Sequence, residues 1–141
     1  MQEHEAAVTS VVIGPNARVL ATASNDSTAR VWNIETGSCE QQLRGHKAAV
    51  VSACFSPVGQ FLVTCSLDQS AKIWDWSSGV CHHTLASQAA GLRSVSFTPD
   101  GKCVATGAHD GTVTLWDTMN GRRLRDWYAH KGSVNAMSFV H

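Results

Sequence analysis

The chain has 141 residues, with 11 basic and 11 acidic side chains and no net charge at neutral pH. The two signs are interspersed, which argues against a nucleic-acid groove or a polybasic membrane patch, because both depend on concentrated positive charge. No apolar run approaches the roughly 20 residues that cross a bilayer, and Met1-Gln2-Glu3-His4-Glu5 is polar and acidic where a signal peptide would be basic and then apolar.

Taken in order, the chain repeats itself. Trp32, Trp74 and Trp116 stand 42 residues apart, and so do Asp26/Asp68/Asp110, Ser10/Ser52/Ser94, Pro15/Pro57/Pro99, Thr22/Thr64/Thr106 and Gly37/Gly79/Gly121. A fixed period in the forties is the mark of a repeat architecture. Each period holds four short strand candidates. The first strands are Val8–Ile13, Val50–Phe55 and Leu92–Phe97, with Val134–Phe139 beginning a fourth set. Their Val, Ala and Phe positions recur in register, as in strands buried on both faces. The turns that follow are Pro15-Asn16-Ala17, Pro57-Val58-Gly59 and Pro99-Asp100-Gly101. Proline presets φ at the first corner and glycine supplies a positive φ, so Ala17 predicts a first turn strained by about 1 kcal/mol.

Val19–Ser24, Phe61–Ser66 and Cys103–Ala108 form the second strands. Polar turns bearing Asp26, Asp68 or Asp110 lead to third strands, Ala29–Asn33, Ala71–Asp75 and Val113–Asp117. Thr36-Gly37, Ser78-Gly79 and Asn120-Gly121 then turn the chain into Ser38–Leu43, Val80–Leu85 and Arg122–Trp127. Short strands at even spacing with Gly-bearing turns read as all-β, with no linker between repeats. Five cysteines, none paired at C-x-x-C spacing, read as reduced, structural thiols of an intracellular protein, cytoplasmic or nuclear.

Leu-Arg-Gly-His (43–46), Phe-Ser-Pro (55–57), Ser-Leu-Asp (66–68), Ile-Trp-Asp (73–75) and Ser-Gly (78–79) resemble the WD-repeat signature. The resemblance extends over essentially the whole chain. It implies three four-stranded propeller blades, at about residues 4–45, 46–87 and 88–129, plus a stub at 130–141 that supplies the first strand of a fourth. The expected product is an open, partial β-propeller, since closed rings use about 4–8 blades. Phe139 is followed only by Val140-His141 where a turn is due, so a truncated form of a longer protein is expected, with self-association through exposed blade edges as a further expectation.

A His, Ser, Asp and Trp recur per period: His4, Ser24, Asp26 and Trp32, then His46, Ser66, Asp68 and Trp74. They could be taken for acyl-transfer machinery. Repetition opposes this, since catalysis needs one nucleophile whereas a structural network is needed in every blade. An imidazole can donate to the Asp and accept from the Ser hydroxyl, with the indole N–H ending on the Ser oxygen. The WD-repeat resemblance implies the same structural tetrad. In the third copy Gln88 and Ala108 replace the His and Ser, leaving Asp110 and Trp116, and His130 begins a fourth set.

By the same resemblance, the residue after the first-strand Val and the residue before the turn Asp line one face of the propeller. These are Thr9 and Asn25, Val51 and Leu67, Arg93 and His109, with Asn135 from the stub. Leu67 and Val51 could form an apolar anchor beside Arg93 and His109, suited to a peptide with one apolar and one acidic group. Trp76 is expected to pack between blades, and His82-His83 to form a solvated edge rather than a metal site, because neighbours in a strand face opposite ways. The expected function is a non-catalytic scaffold or adaptor that binds a protein or peptide, needs no cofactor or metal, and touches neither nucleic acid nor membrane directly. The alternative is a recognition or structural subunit of a larger enzyme complex, of the ubiquitin-ligase or chromatin-modifying type. A hydrolase is the least supported reading.

Overall fold

Strands written as alternating apolar residues between Gly- and Asp-bearing turns pair with their sequence neighbours, because short turns leave no room for a crossover. The computed structural model describes residues 6–14, 17–57, 59–86 and 91–128. It contains twelve strands: β1 Val8–Ile13, β2 Val19–Ser24, β3 Ala29–Asn33, β4 Cys39–Leu43, β5 Val50–Phe55, β6 Phe61–Ser66, β7 Ser70–Asp75, β8 Val80–Ala86, β9 Leu92–Phe97, β10 Cys103–Ala108, β11 Thr112–Asp117 and β12 Arg123–Tyr128. They form three four-stranded antiparallel meanders, β1–β4, β5–β8 and β9–β12, and none closes on itself. Ser38 and Arg122 fall outside the fourth strands because their carbonyls accept the N–H groups of Asn33 and Asp117 and close the turns. The expected strand Val134–Phe139, the stub 130–141, His4, Gln88, His130 and Asn135 lie outside the described residues.

Period-two alternation divides each sheet between two neighbours. In β6, Leu62 joins Val19, Ala21, Val31 and Leu43 of the first blade, together with Ala53 and Trp74, in one buried cluster. Val63 and Cys65 point the other way and join Leu92, Val95, Phe97 and Val104 of the third blade. The first strand of each blade therefore depends on the blade before it. Ala53 is 5% exposed, and Leu92, Val95 and Phe97 are 1%, 6% and 5% exposed, but their counterparts Val8, Val11 and Ile13 in β1 are 47%, 57% and 67% exposed. Polar latches tie the outer rim at repeat-equivalent positions: Gln41 Nε2 donates to the Ser77 carbonyl at 2.9 Å, and His83 Nε2 to the Met119 carbonyl at 2.9 Å.

Within the second blade one hydrogen-bonded chain joins the strands. The Trp74 indole donates to Thr64 Oγ1 at 2.9 Å, the Thr64 hydroxyl donates to His46 Nε2 at 2.8 Å, and His46 Nδ1–H donates to Asp68 at 3.0 Å. Asp68 also accepts the Lys47 N–H at 2.9 Å and the Ser70 hydroxyl at 2.6 Å. The hydroxyl between indole and imidazole is thus a threonine, which corrects the expectation for Ser66 and Ser24. Trp32 donates to Thr22 at 2.9 Å and Trp116 to Thr106 at 3.0 Å. Ser66 instead donates to the Ala48 carbonyl and accepts the Asp68 N–H, both at 3.0 Å, and Ser24 does the same with Ala7 and Asp26 at 3.0 and 3.1 Å. The second-strand threonine lies opposite Lys72 or its counterpart, within reach of the indole, whereas the serine ends the strand beside the entry loop.

Burial holds His46 below its ordinary 6.5, outweighing the upward pull of Asp68. For Asp68, burial raises the carboxyl, but hydrogen bonds from Ser70, Lys47 and His46 prevail and hold it at about 2. Ala17 adopts φ 53°, where Gly59 and Gly101 have 78° and 73°, as the turn pattern predicts.

Three outcomes are expected in urea melts. Ala17→Gly stabilises by about 1 kcal/mol, because the left-handed conformation disfavours a Cβ. Thr64→Val leaves the Trp74 N–H and His46 Nε2 unpaired and costs about 2–5 kcal/mol, more than Ser66→Ala. Stability is flat above pH 6.5 and falls below it, because an unfolded chain binds a proton that folded His46 refuses, and it drops again as Asp68 is protonated between 3.8 and about 2. His46→Asn removes the first of these declines.

Candidate functional site

A bulge places an extra residue on one strand and throws its side chain out of the ladder. The register of β1 against β2 slips between Val8 and Ser10, that of β5 against β6 between Val50 and Ser52, and β9 slips between Leu92 and Ser94. The bulged residues are therefore Thr9, Val51 and Arg93, three of the expected partner-binding positions. The companion residues sit on the adjacent turn, each held by its backbone. Asn25 N–H donates to the Ala7 carbonyl at 2.9 Å, Leu67 N–H to Ala49 at 3.1 Å, and His109 N–H to Gly91 at 2.9 Å. Both sets thus lie at one end of the three sheets. The first strands neighbour one another there, and the Thr9 hydroxyl reaches across to the Val50 carbonyl at 2.5 Å. Asn135, the seventh expected residue, lies outside the described residues.

Arg93 and His109 meet directly. Arg93 Nε donates to His109 Nδ1 at 3.1 Å, so the imidazole carries its proton on Nε2 and the terminal guanidinium nitrogens remain to fork onto a carboxylate. Arg93 is half-buried and His109 exposed. Leu67 is 40% exposed. A Cβ on Gly91 would lie 3.1 Å from the Leu67 carbonyl oxygen and 3.4 Å from its Cδ2, so this leucine seats against the entry of the third blade as well as facing out. The expected apolar pair is looser than its residue types imply, because Val51 is half-buried and packs on the core between the second and third blades.

The residues that resemble acyl-transfer machinery are sealed. Thr64, His46 and Asp68 do form a hydroxyl–imidazole–carboxylate chain, but Thr64 is fully buried and its oxygen already accepts the Trp74 indole. Ser66, the nucleophile the spacing offered, is also fully buried and gives its proton to a backbone carbonyl. In the third blade Ala108 is buried, and Asp110 accepts the Thr112 N–H at 2.9 Å. The five cysteines are free thiols, with burial pushing the Cys65 thiol well up. Among the described residues no group of three or more His, Cys, Asp or Glu is placed to hold a metal. His82 packs edge-on against Phe61 at 5.5 Å, while His83 is the rim latch. Trp76 packs edge-on against Phe55 at 6.1 Å, beside the core shared by the first two blades. No helix among the described residues is long and apolar enough to cross a membrane.

Comparison with known proteins agrees with the architecture. A stretch of 36 residues, 26% of the chain, is 47% identical to eukaryotic translation initiation factor 3 subunit I of Aspergillus niger, and the same figures hold for subunit I of Aspergillus oryzae and of Aspergillus fumigatus. The match spans 11% of the length of each of these relatives, less than one repeat of this chain. The model of the WD domain, G-beta repeat family matches residues 1–33, 37–75 and 79–117. The chain belongs to the WD domain, G-beta repeat family.

Proposed function

We propose that this chain is a non-catalytic scaffold that binds a protein or peptide partner through the bulge-and-turn surface of Thr9, Asn25, Val51, Leu67, Arg93 and His109. The observation that carries the reading is the Arg93–His109 pair beside exposed Leu67: a cation held in place by a neutral imidazole, next to an apolar side chain fixed by Gly91. A short segment with one carboxylate and one apolar side chain fits this surface, the carboxylate on the guanidinium fork and the apolar group on Leu67. The surface is made of loops on a rigid frame, the usual place for recognition. Free thiols and the lack of concentrated charge support an intracellular location and a protein partner over nucleic acid.

A second reading, membership of a larger assembly, draws on the matched relatives, which are by name subunits of a translation initiation factor. The two readings are compatible, since a subunit needs such a surface.

Peptides selected from a random display library against the chain are expected to combine an acidic with an apolar residue. Arg93→Ala and Leu67→Ser should each weaken those peptides about tenfold or more, the cost of one anchor, without lowering the melting temperature. Selected peptides that bind both variants as well as the parent would defeat the assignment. Ester turnover that exceeds the Thr64→Val background would defeat the non-catalytic reading.

A further inference from the structure

The loop that carries the chain from the first blade into the second borders a pocket of about 300 Å³, lined by Gly45, Lys47, Asp68, Ser70, Lys72 and Thr84. Lys72 shares a face of β7 with Trp74, the face turned to the first blade. Its stem passes close under Gly45, where a Cβ would lie 3.4 Å from Lys72 Cε and 3.7 Å from Trp74 Cη2. The head is fixed by a bond from Lys72 Nζ to Thr84 Oγ1 at 2.9 Å. Lys47 is exposed on the opposite lip, held there by its backbone N–H on Asp68 at 2.9 Å.

The one acid in the pocket is already satisfied from within. Asp68 Oδ1 accepts the Ser70 N–H and hydroxyl at 2.9 and 2.6 Å, and Oδ2 accepts from Lys47 N–H and His46. Among the described residues neither lysine ammonium pairs with a carboxylate. Two ammoniums against one carboxylate leave an excess of positive charge in a chain that has none overall. Lys72 keeps two N–H donors after serving Thr84, Lys47 keeps three, and the Thr84 hydroxyl keeps its own proton. The combination occurs once in the 42-residue period. Glu5 and Ala89 stand at the place of Lys47, Arg30 and Thr114 at that of Lys72, and Gln42 and Asp126 at that of Thr84.

We infer that this pocket holds a phosphate group, carried on a phosphorylated serine or threonine of the same partner segment that meets Leu67, an assignment that rests on the recognition surface proposed above. A phosphate brings about twice the charge of a carboxylate and three acceptor oxygens, which matches two ammoniums and a hydroxyl. Lysines act on it as point charges, whereas the fork of Arg93 suits a planar carboxylate. Leu67 and Asp68 are consecutive, with Cα atoms about 3.8 Å apart, so one extended segment reaches both. Two lysines are too few for a membrane surface, whose recognition draws on clusters of about 4–8 basic residues.

Synthetic peptides that set a phosphoserine at successive distances from an apolar residue are titrated against the chain by fluorescence polarisation, beside their serine forms. At one spacing the phosphoserine form is expected to bind about tenfold or more tightly than the serine form, as new charge-assisted hydrogen bonds imply. Lys47→Gln and Lys72→Gln should each cut that advantage about fivefold, and the double variant should erase it. Serine forms that bind and weaken in Leu67→Ser, with no gain from phosphate at any spacing, overturn the pocket and leave the surface standing. A phosphate gain that survives the double variant overturns the assignment to these lysines. Phosphate-dependent binding that is lost with the lysines yet indifferent to Leu67→Ser supports the pocket and defeats the surface, and no binding of either form defeats both. Inorganic phosphate that displaces the phosphopeptide at the peptide's own concentration makes this a site for the free anion and overturns the docked segment.

Discussion

A four-stranded sheet has two apolar faces, and on its own it can hide neither. That constraint governs this molecule. Leu62 serves the interface with the first blade while Val63 and Cys65, its neighbours along β6, serve the interface with the third. Each contact is held at the rim by Gln41 or His83, and between the first and second blades also near the centre by Thr9. Stability in such an array is a sum of blade and nearest-neighbour terms. Where a neighbour is absent from the described residues, the same positions change state: Val8, Val11 and Ile13 are chemically much like Val50, Ala53 and Phe55, yet they are exposed.

The buried hydrogen-bonded chain of the second blade connects this framework to the proposed recognition surface. Trp74, Thr64, His46 and Asp68 are each paired, and a fully satisfied polar network rigidifies what it joins. It joins the loop at Lys47 to the turn at Asp68, so the residue before that aspartate, Leu67, is presented from a fixed corner. Gly91 of the next blade comes so close that a methyl group would crowd the Leu67 backbone. The Leu67 side chain, proposed above to meet a partner, is thus oriented by its own blade's network and by its neighbour's entry strand.

Much of this was legible in the 42-residue period, because strands, turns and the Ala17 strain are local consequences of residue type. The identity of the bridging hydroxyl was harder to read. Thr64 and Ser66 lie two residues apart on one face of β6, and periodicity alone treats them alike. A clue existed in the third copy, where Trp116 persists although Ala108 replaces the serine, and Thr106 recurs. An indole that outlasts the serine needs another acceptor. The seat of Leu67 against Gly91 and the half-burial of Val51 were not legible, since both arise between blades and depend on how the sheets stack.

Near-exact repetition also separates structural residues from functional ones without any second sequence. The bulge geometry is common to Thr9, Val51 and Arg93, and the corner geometry to Ile34, Trp76 and Thr118. When a backbone recurs and the side chain it carries does not, the backbone cannot be what selects the side chain. At the bulges the choice runs from hydroxyl to apolar to cation, which builds an asymmetric surface from a symmetric frame. At the corners it runs from isoleucine to an indole that bonds the Gly59 carbonyl to a buried threonine.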